Sequence, residues 1–110
     1  LVRETEKAIK DLDVDVELID LRTIQPYDKE TIAKSVQKTG RLLVVHEAVK
    51  SFGPGAEIIS MINEKAFLYL EAPPTRLTGF DITVPLPKGE HHFIITPEQI
   101  KAKIKDIMAF

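Results

Sequence analysis

Apolar residues along this chain switch between helical and strand spacing, and each switch marks an element. From Val2 to Leu12, the positions Val2, Thr5, Ala8, Ile9 and Leu12 recur at helical spacing, while Arg3, Glu4, Glu6, Lys7, Lys10 and Asp11 take the other faces. The chain is therefore expected to open inside an amphipathic helix. Val16, Leu18, Ile19 and Leu21 follow as a run suited to a strand covered on both faces, expected over Val16 to Leu21. The run stops in Asp20, Arg22, Thr23 and Pro26, at the end where α/β proteins place loops and ligands. Asp28 then caps a helix over Lys29 to Thr39, Gly40 closes it, and Leu42 to His46 reads as a second strand.

Gly55 to Leu70 predicts the longest helix, with Ile58, Ile59, Ile62, Ala66 and Leu70 on one stripe, and Pro73-Pro74 ends it before a third strand over Thr75 to Phe80. From Asp81 to Thr96 the pattern weakens. Pro85 and Pro87 exclude a regular central strand and Gly89 permits a turn, so an extended crossing loop is expected. Thr96-Pro97-Glu98-Gln99 combines a hydroxyl cap, a first-position proline and a capping-box glutamine, opening a last helix to Met108. Strands alternating with helices imply right-handed crossovers. The expected fold is a three-layer α/β/α sandwich with a mainly parallel sheet, formed by one domain over residues 1–110.

Composition narrows the function. With 110 residues and 44% hydrophobic content, one core is affordable and two are not. Fifteen basic residues against 17 acidic ones give a net charge of -2, too little cationic field for nucleic acid. The chain has no cysteine, which removes disulfides, thiolate metal sites and a cysteine nucleophile and suits a reducing compartment. Its apolar runs fall far short of the roughly 20 residues of a membrane span, and LVRETEKAIK reads as a helix start rather than a signal sequence. A cytoplasmic protein without membrane contact is expected.

Several side chains could carry chemistry. His46-Glu47 closes the strand LLVV, where open sheets bind ligands, and could serve as an acid/base pair or as a structural pair ordering the next loop. Asp20 and Arg22, two apart on an expected strand, share one face and could pair or clamp a neighbouring segment. His91-His92 would point to opposite sides of an extended chain and could not easily share a metal ion. Ser51-Phe52-Gly53-Pro54-Gly55 leads into a helix N-terminus, but lacks the third glycine of a dinucleotide turn and the Gly-Lys-Ser/Thr of a P-loop. Two uses stay open for it: close packing of loop on sheet, or an anionic ligand held by a free-standing module at Gly53 to Glu57. No catalytic, cofactor-binding or metal-ligating residue emerges.

The ordered motifs VELIDLRTIQPYD, KTGRLLVVHEAV, FGPGAEI and YLEAPPTRLTGFDITVPLP cover nearly the whole chain. They resemble the C-terminal domain of the β subunit of thiamine-diphosphate-dependent 2-oxoacid dehydrogenases and, more broadly, a transketolase C-terminal domain. The resemblance implies a fragment of a longer β subunit whose first strand is missing. It also implies thiamine diphosphate and magnesium in the parent enzyme, with none bound by this domain. The implied partners are the α subunit, a second β subunit and the peripheral subunit-binding domain of a lipoyl acyltransferase, in the cytoplasm or, in a eukaryote, the mitochondrial matrix. The parent reaction would be oxidative decarboxylation of a 2-oxoacid with acyl transfer to lipoamide. Pyruvate and branched-chain types share the motifs, the ending HHFIITPEQIKAKIKDIMAF leaning toward the branched-chain type. Matched residue by residue, the partner-binding positions are Glu71 and, as a chain-terminal carboxylate, Phe110. Asp20, Arg22, His46 and Glu47 take interface or structural roles. The chain departs from the family's Gly-Gly-Phe-Gly-Ala-Glu at Lys50 to Glu57, where a proline and a glycine are inserted.

Overall fold

A computed structural model describes all 110 residues. Helix α1 spans Val2–Lys10, α2 Lys29–Thr39 and α3 Pro54–Ala66, with a 3-10 turn at Phe67–Tyr69; α4 is the single turn Glu90–Phe93 and α5 spans Pro97–Met108. Strands β1 (Leu43–Val49) and β2 (Thr75–Gly79) form a two-stranded parallel sheet, paired from Leu43 with Thr75 through His46 with Thr78. The register then shifts, so that Glu47 and Ala48 bulge out before Val49 meets Gly79.

Local chemistry sets the helix ends. Asp28 accepts a hydrogen bond from the Thr31 amide at 3.0 Å, and Gly40 closes α2 at φ 70°. Thr96 and Gln99 form the reciprocal capping box that opens α5. The expected helix to Leu70 ends instead at Ala66. The tighter 3-10 turn that follows leaves Phe67 and Leu68 exposed, returns Leu70 to the core, and lets the Glu71 amide donate to Gly40 O at 2.8 Å.

The layers follow from alternation along β1. Leu42 and Val44 face α2 and α3, packing against Ile32, Val36, Ile58 and Ile62; Leu43 and Val45 face Ala8 of α1, Ile95, and Ile100 and Ile104 of α5. Ile62 and Ile100, both fully buried, anchor the two cores at roughly 1.5–3 kcal/mol of hydrophobic transfer each. Lys65 and Glu30 tie α3 to α2 at 3.1 Å, and Lys101 and Asp11 tie α5 to α1 at 3.2 Å.

Two expectations need correction. Val16 to Leu21 is extended but is not a strand: residues 13–20 make no main-chain hydrogen bond, because no neighbouring strand lies beside them. Leu21 still packs on the α2–α3 core, and Glu17 holds Lys38 of α2 at 2.5 Å, leaving Leu18 and Ile19 partly exposed. The crossing segment is not extended throughout either. After residues 80–87 a turn leads into α4, whose Phe93 is buried against Phe80 with ring centroids 6.4 Å apart.

Candidate functional site

Asp20 and Arg22 do pair, though not across a strand face. Arg22 adopts φ 56°, its amide donates to Asp20 Oδ1 at 3.2 Å, and its Nε stands 3.6 Å from Asp20 Oδ2. The pair closes a local turn with the guanidinium in solvent, so it clamps no other segment of this chain.

His46 and Glu47 diverge. The His46 ring turns toward α3 and its Nδ1–H donates to Ala48 O at 3.0 Å, which leaves Nε2 buried without a partner. Glu47, in the bulge, is exposed to solvent. The two form no acid/base pair. The imidazole lies against the turn that opens α3: a Cβ on Gly53 would stand 2.8 Å from His46 Cε1, and one on Gly55 2.7 Å from Nε2. The glycines therefore serve close packing of the loop on the sheet, with the His46 ring filling the space that side chains there would need.

Ser51 and Asp81, thirty residues apart, form a clasp that the sequence reading missed. Asp81 accepts from the Ser51 amide at 2.8 Å and from Ser51 Oγ at 2.7 Å, joining the loops that leave β1 and β2. These two bonds, the amide first, hold the Asp81 carboxyl below the usual range. Arg76 Nη1 adds a bond to Lys50 O at 2.8 Å. No spacing rule finds such pairs, because the two loops meet only after α3 has crossed between them.

At the other end of the sheet Glu71 enters β2 beside the loop that enters β1. Its Oε2 accepts from Arg41 Nη1 at 2.5 Å, which braces the carboxylate while 63% of the side chain stays exposed. Arg41, also unforeseen, is largely buried, and its Nε has no partner. Phe110, past the end of α5, is 76% exposed. His91 and His92 sit on the α4 turn, not on an extended chain, and their rings stack with centroids 4.0 Å apart.

A family model described as the transketolase C-terminal domain matches residues 1–100. The chain belongs to that family. It is 59% identical over 110 residues to the β subunit of the pyruvate dehydrogenase E1 component of Acholeplasma laidlawii, covering 97% of this chain and 34% of that protein. It is 61% identical over 80 residues to the same subunit of Mycoplasma genitalium, covering 73% of this chain and 24% of that protein. The mitochondrial 2-oxoisovalerate dehydrogenase subunit β of Dictyostelium discoideum is 50% identical over 86 residues, covering 78% of this chain and 23% of that protein. The chain thus spans about a third of the length of the first of these relatives. The resemblance drawn from the motifs and the α/β fold class are both upheld, with the sheet reduced to two strands.

No three His, Asp or Glu side chains converge as cation ligands, and the glycine turn is closed by the His46 ring. The polar groups of Asp81 and Arg76 brace the loops that leave the sheet.

Proposed function

We propose that this domain is the C-terminal part of the β subunit of a 2-oxoacid dehydrogenase E1 component. Its parent enzyme oxidatively decarboxylates a 2-oxoacid and passes the acyl group to lipoamide, while the domain itself supplies subunit contacts and a docking surface for the acyltransferase core. Thiamine diphosphate and magnesium belong to other parts of that enzyme. Pyruvate is the favoured 2-oxoacid, since relatives named for it reach 59% and 61% identity against 50% for the 2-oxoisovalerate relative. The compartment follows the complex: bacterial cytoplasm or mitochondrial matrix. No helix is long and apolar enough to cross a membrane.

The observation that carries the docking role is Glu71, an exposed carboxylate braced by Arg41 at the loop entering β2. A carboxylate held in one orientation receives a basic partner residue at lower entropic cost than a free one. The α subunit and a second β subunit complete the proposed assembly.

Main-chain pairing supports the reading as part of a longer subunit. The Thr75 amide donates to Leu42 O, a register that turns Val44 and His46 toward β2 and leaves the N–H and C=O groups of Leu43 and Val45 on an unpaired edge. Yet both faces of β1 are covered, as in an interior strand. An upstream strand seated between β1 and residues 16–21 would satisfy both rows of unpaired groups.

Calorimetric titration with a peripheral subunit-binding domain tests the docking role. Heat of binding that falls markedly for Glu71→Ala is the expected result; equal heat for both forms would remove Glu71 from the interface.

A further inference from the structure

We propose that Arg41 is a positioning residue for docking: it holds the Glu71 carboxylate in the orientation that a basic partner side chain meets, and it does so at a cost to the stability of the fold. The inference rests on the reading of Glu71 as the docking carboxylate and names the residue on which that contact depends.

Glu71 is fixed along its whole length. Its amide donates to Gly40 O at 2.8 Å, which pins the main chain. Its stem lies over Gly40, where a Cβ would stand 2.8 Å from Glu71 Cγ, so the bare glycine at the end of α2 leaves it room. Its Oε2 accepts from Arg41 Nη1, while Oε1 makes no bond within the chain. The loop that carries Arg41 is tied down in turn: the Gly40 amide donates to Val36 O at 2.8 Å, and the Thr39 hydroxyl donates to Arg41 O at 3.2 Å. The guanidinium therefore reaches Glu71 from a fixed base, on a side chain only 26% exposed.

Folding alone does not explain Arg41. Its Nε is buried with no hydrogen-bond partner, and a desolvated, unpaired N–H costs more than a partly solvated ion pair contributes. A local rule broken without a gain in stability points to a functional position. What Arg41 does is give an exposed carboxylate one geometry. Without the guanidinium, the outer torsions of Glu71 would be free, and a partner would have to order them on binding.

Arg41 acts on a basic partner in two opposed ways. Its charge repels the incoming cation, but across a solvated and screened contact. Its hydrogen bond pre-orders the acceptor, and a charge-assisted bond depends steeply on that geometry. Positioning outweighs repulsion, so removing Arg41 weakens docking even though it makes the surface more negative.

Calorimetric titration of the chain with a peripheral subunit-binding domain tests this in the wild type, Arg41→Met, Arg41→Lys, Glu71→Ala and the double variant Arg41→Met/Glu71→Ala, with circular dichroism confirming each fold. In Arg41→Met the Kd is expected to rise about three- to tenfold while the urea midpoint holds or rises. Arg41→Lys keeps the charge without the planar fork and should fall between wild type and Arg41→Met. On the Glu71→Ala background, Arg41→Met should change Kd by less than about twofold, because it acts only through that carboxylate. Wild-type or tighter binding by Arg41→Met, beside weakened binding by Glu71→Ala, would overturn this inference alone. So would a marked fall of the Arg41→Met urea midpoint, or an Arg41→Met loss of the same size with and without Glu71, either of which makes Arg41 structural. A wild type that binds nothing, or a Glu71→Ala form that binds as the wild type does, would overturn the docking reading and this inference with it.

Discussion

The imidazole of His46 occupies the space that a side chain on Gly55 would need, with Nε2 2.7 Å from where that Cβ would stand. Strand β1 and the first turn of α3 are thereby locked together through the histidine ring. Gly55→Ala must displace a ring already tied to Ala48 O, an overpacking expected to cost about 1–3 kcal/mol. In the double variant Gly55→Ala/His46→Ala the clash is absent, so the urea midpoint should lie above that expected from adding the two single losses. Strict additivity would show that ring and glycine are not coupled.

The Ser51–Asp81 clasp gives stability a pH dependence of known sign. Asp81 is held below its ordinary carboxyl range, chiefly by the Ser51 amide and then by the Ser51 hydroxyl. Its contribution is therefore complete above the unfolded aspartate value of about 3.9 and is lost as pH falls through the lowered folded value. Urea midpoints of the wild type and Asp81→Asn should differ at neutral pH and converge in acid. A gap that stays constant from neutral pH into acid would show that the carboxylate's charge plays no part.

Glu71→Ala should leave folding nearly intact. The Glu71–Arg41 pair is partly solvated, and such pairs contribute about 0–1 kcal/mol. A thermal midpoint within a few degrees of wild type, roughly the 4–8 °C per kcal/mol of a domain this size, is the expected outcome. Loss of binding in this variant then reports recognition rather than unfolding.

Hydrogen exchange should mark the open side of the sheet. Amides of residues 13–20 and of Leu43 and Val45 lack ladder partners, whereas Val44 and His46 face β2. Exchange by mass spectrometry or NMR is expected to be fast in the first group and slow in the second. Equal protection of both groups would show that the edge of β1 is already paired.

The elements whose signals are local were legible in the sequence. Asp28 and Gly40 bracket α2 at Lys29–Thr39, and Thr96 with Gln99 opens α5, because a cap and a left-handed glycine act within one turn of the residues that specify them. The strands LLVV and TRLTG were equally readable, although the first begins at Leu43 and runs on to Val49. Val16 to Leu21 was misread for a physical reason: its composition specifies a buried strand, but a strand exists only through a neighbour's hydrogen bonds, and this one has none. The helix stripe was likewise followed too far, since the 3-10 turn at Phe67–Tyr69 is set by the return of Leu70 to the core and of Glu71 to Gly40.

The sequence by itself determined the family, through ordered motifs within the residues 1–100 that the family model matches, and the caps and alternation that give a parallel α/β unit. Only the tertiary structure decided what the polar residues do. It turned His46 into the filler of a glycine turn, gave Glu71 to Arg41 and Ser51 to Asp81, and set Phe52 outward. Those pairings join residues about seven to thirty apart across separate loops, and the distances that define them exist only once α3 has brought the two strands side by side.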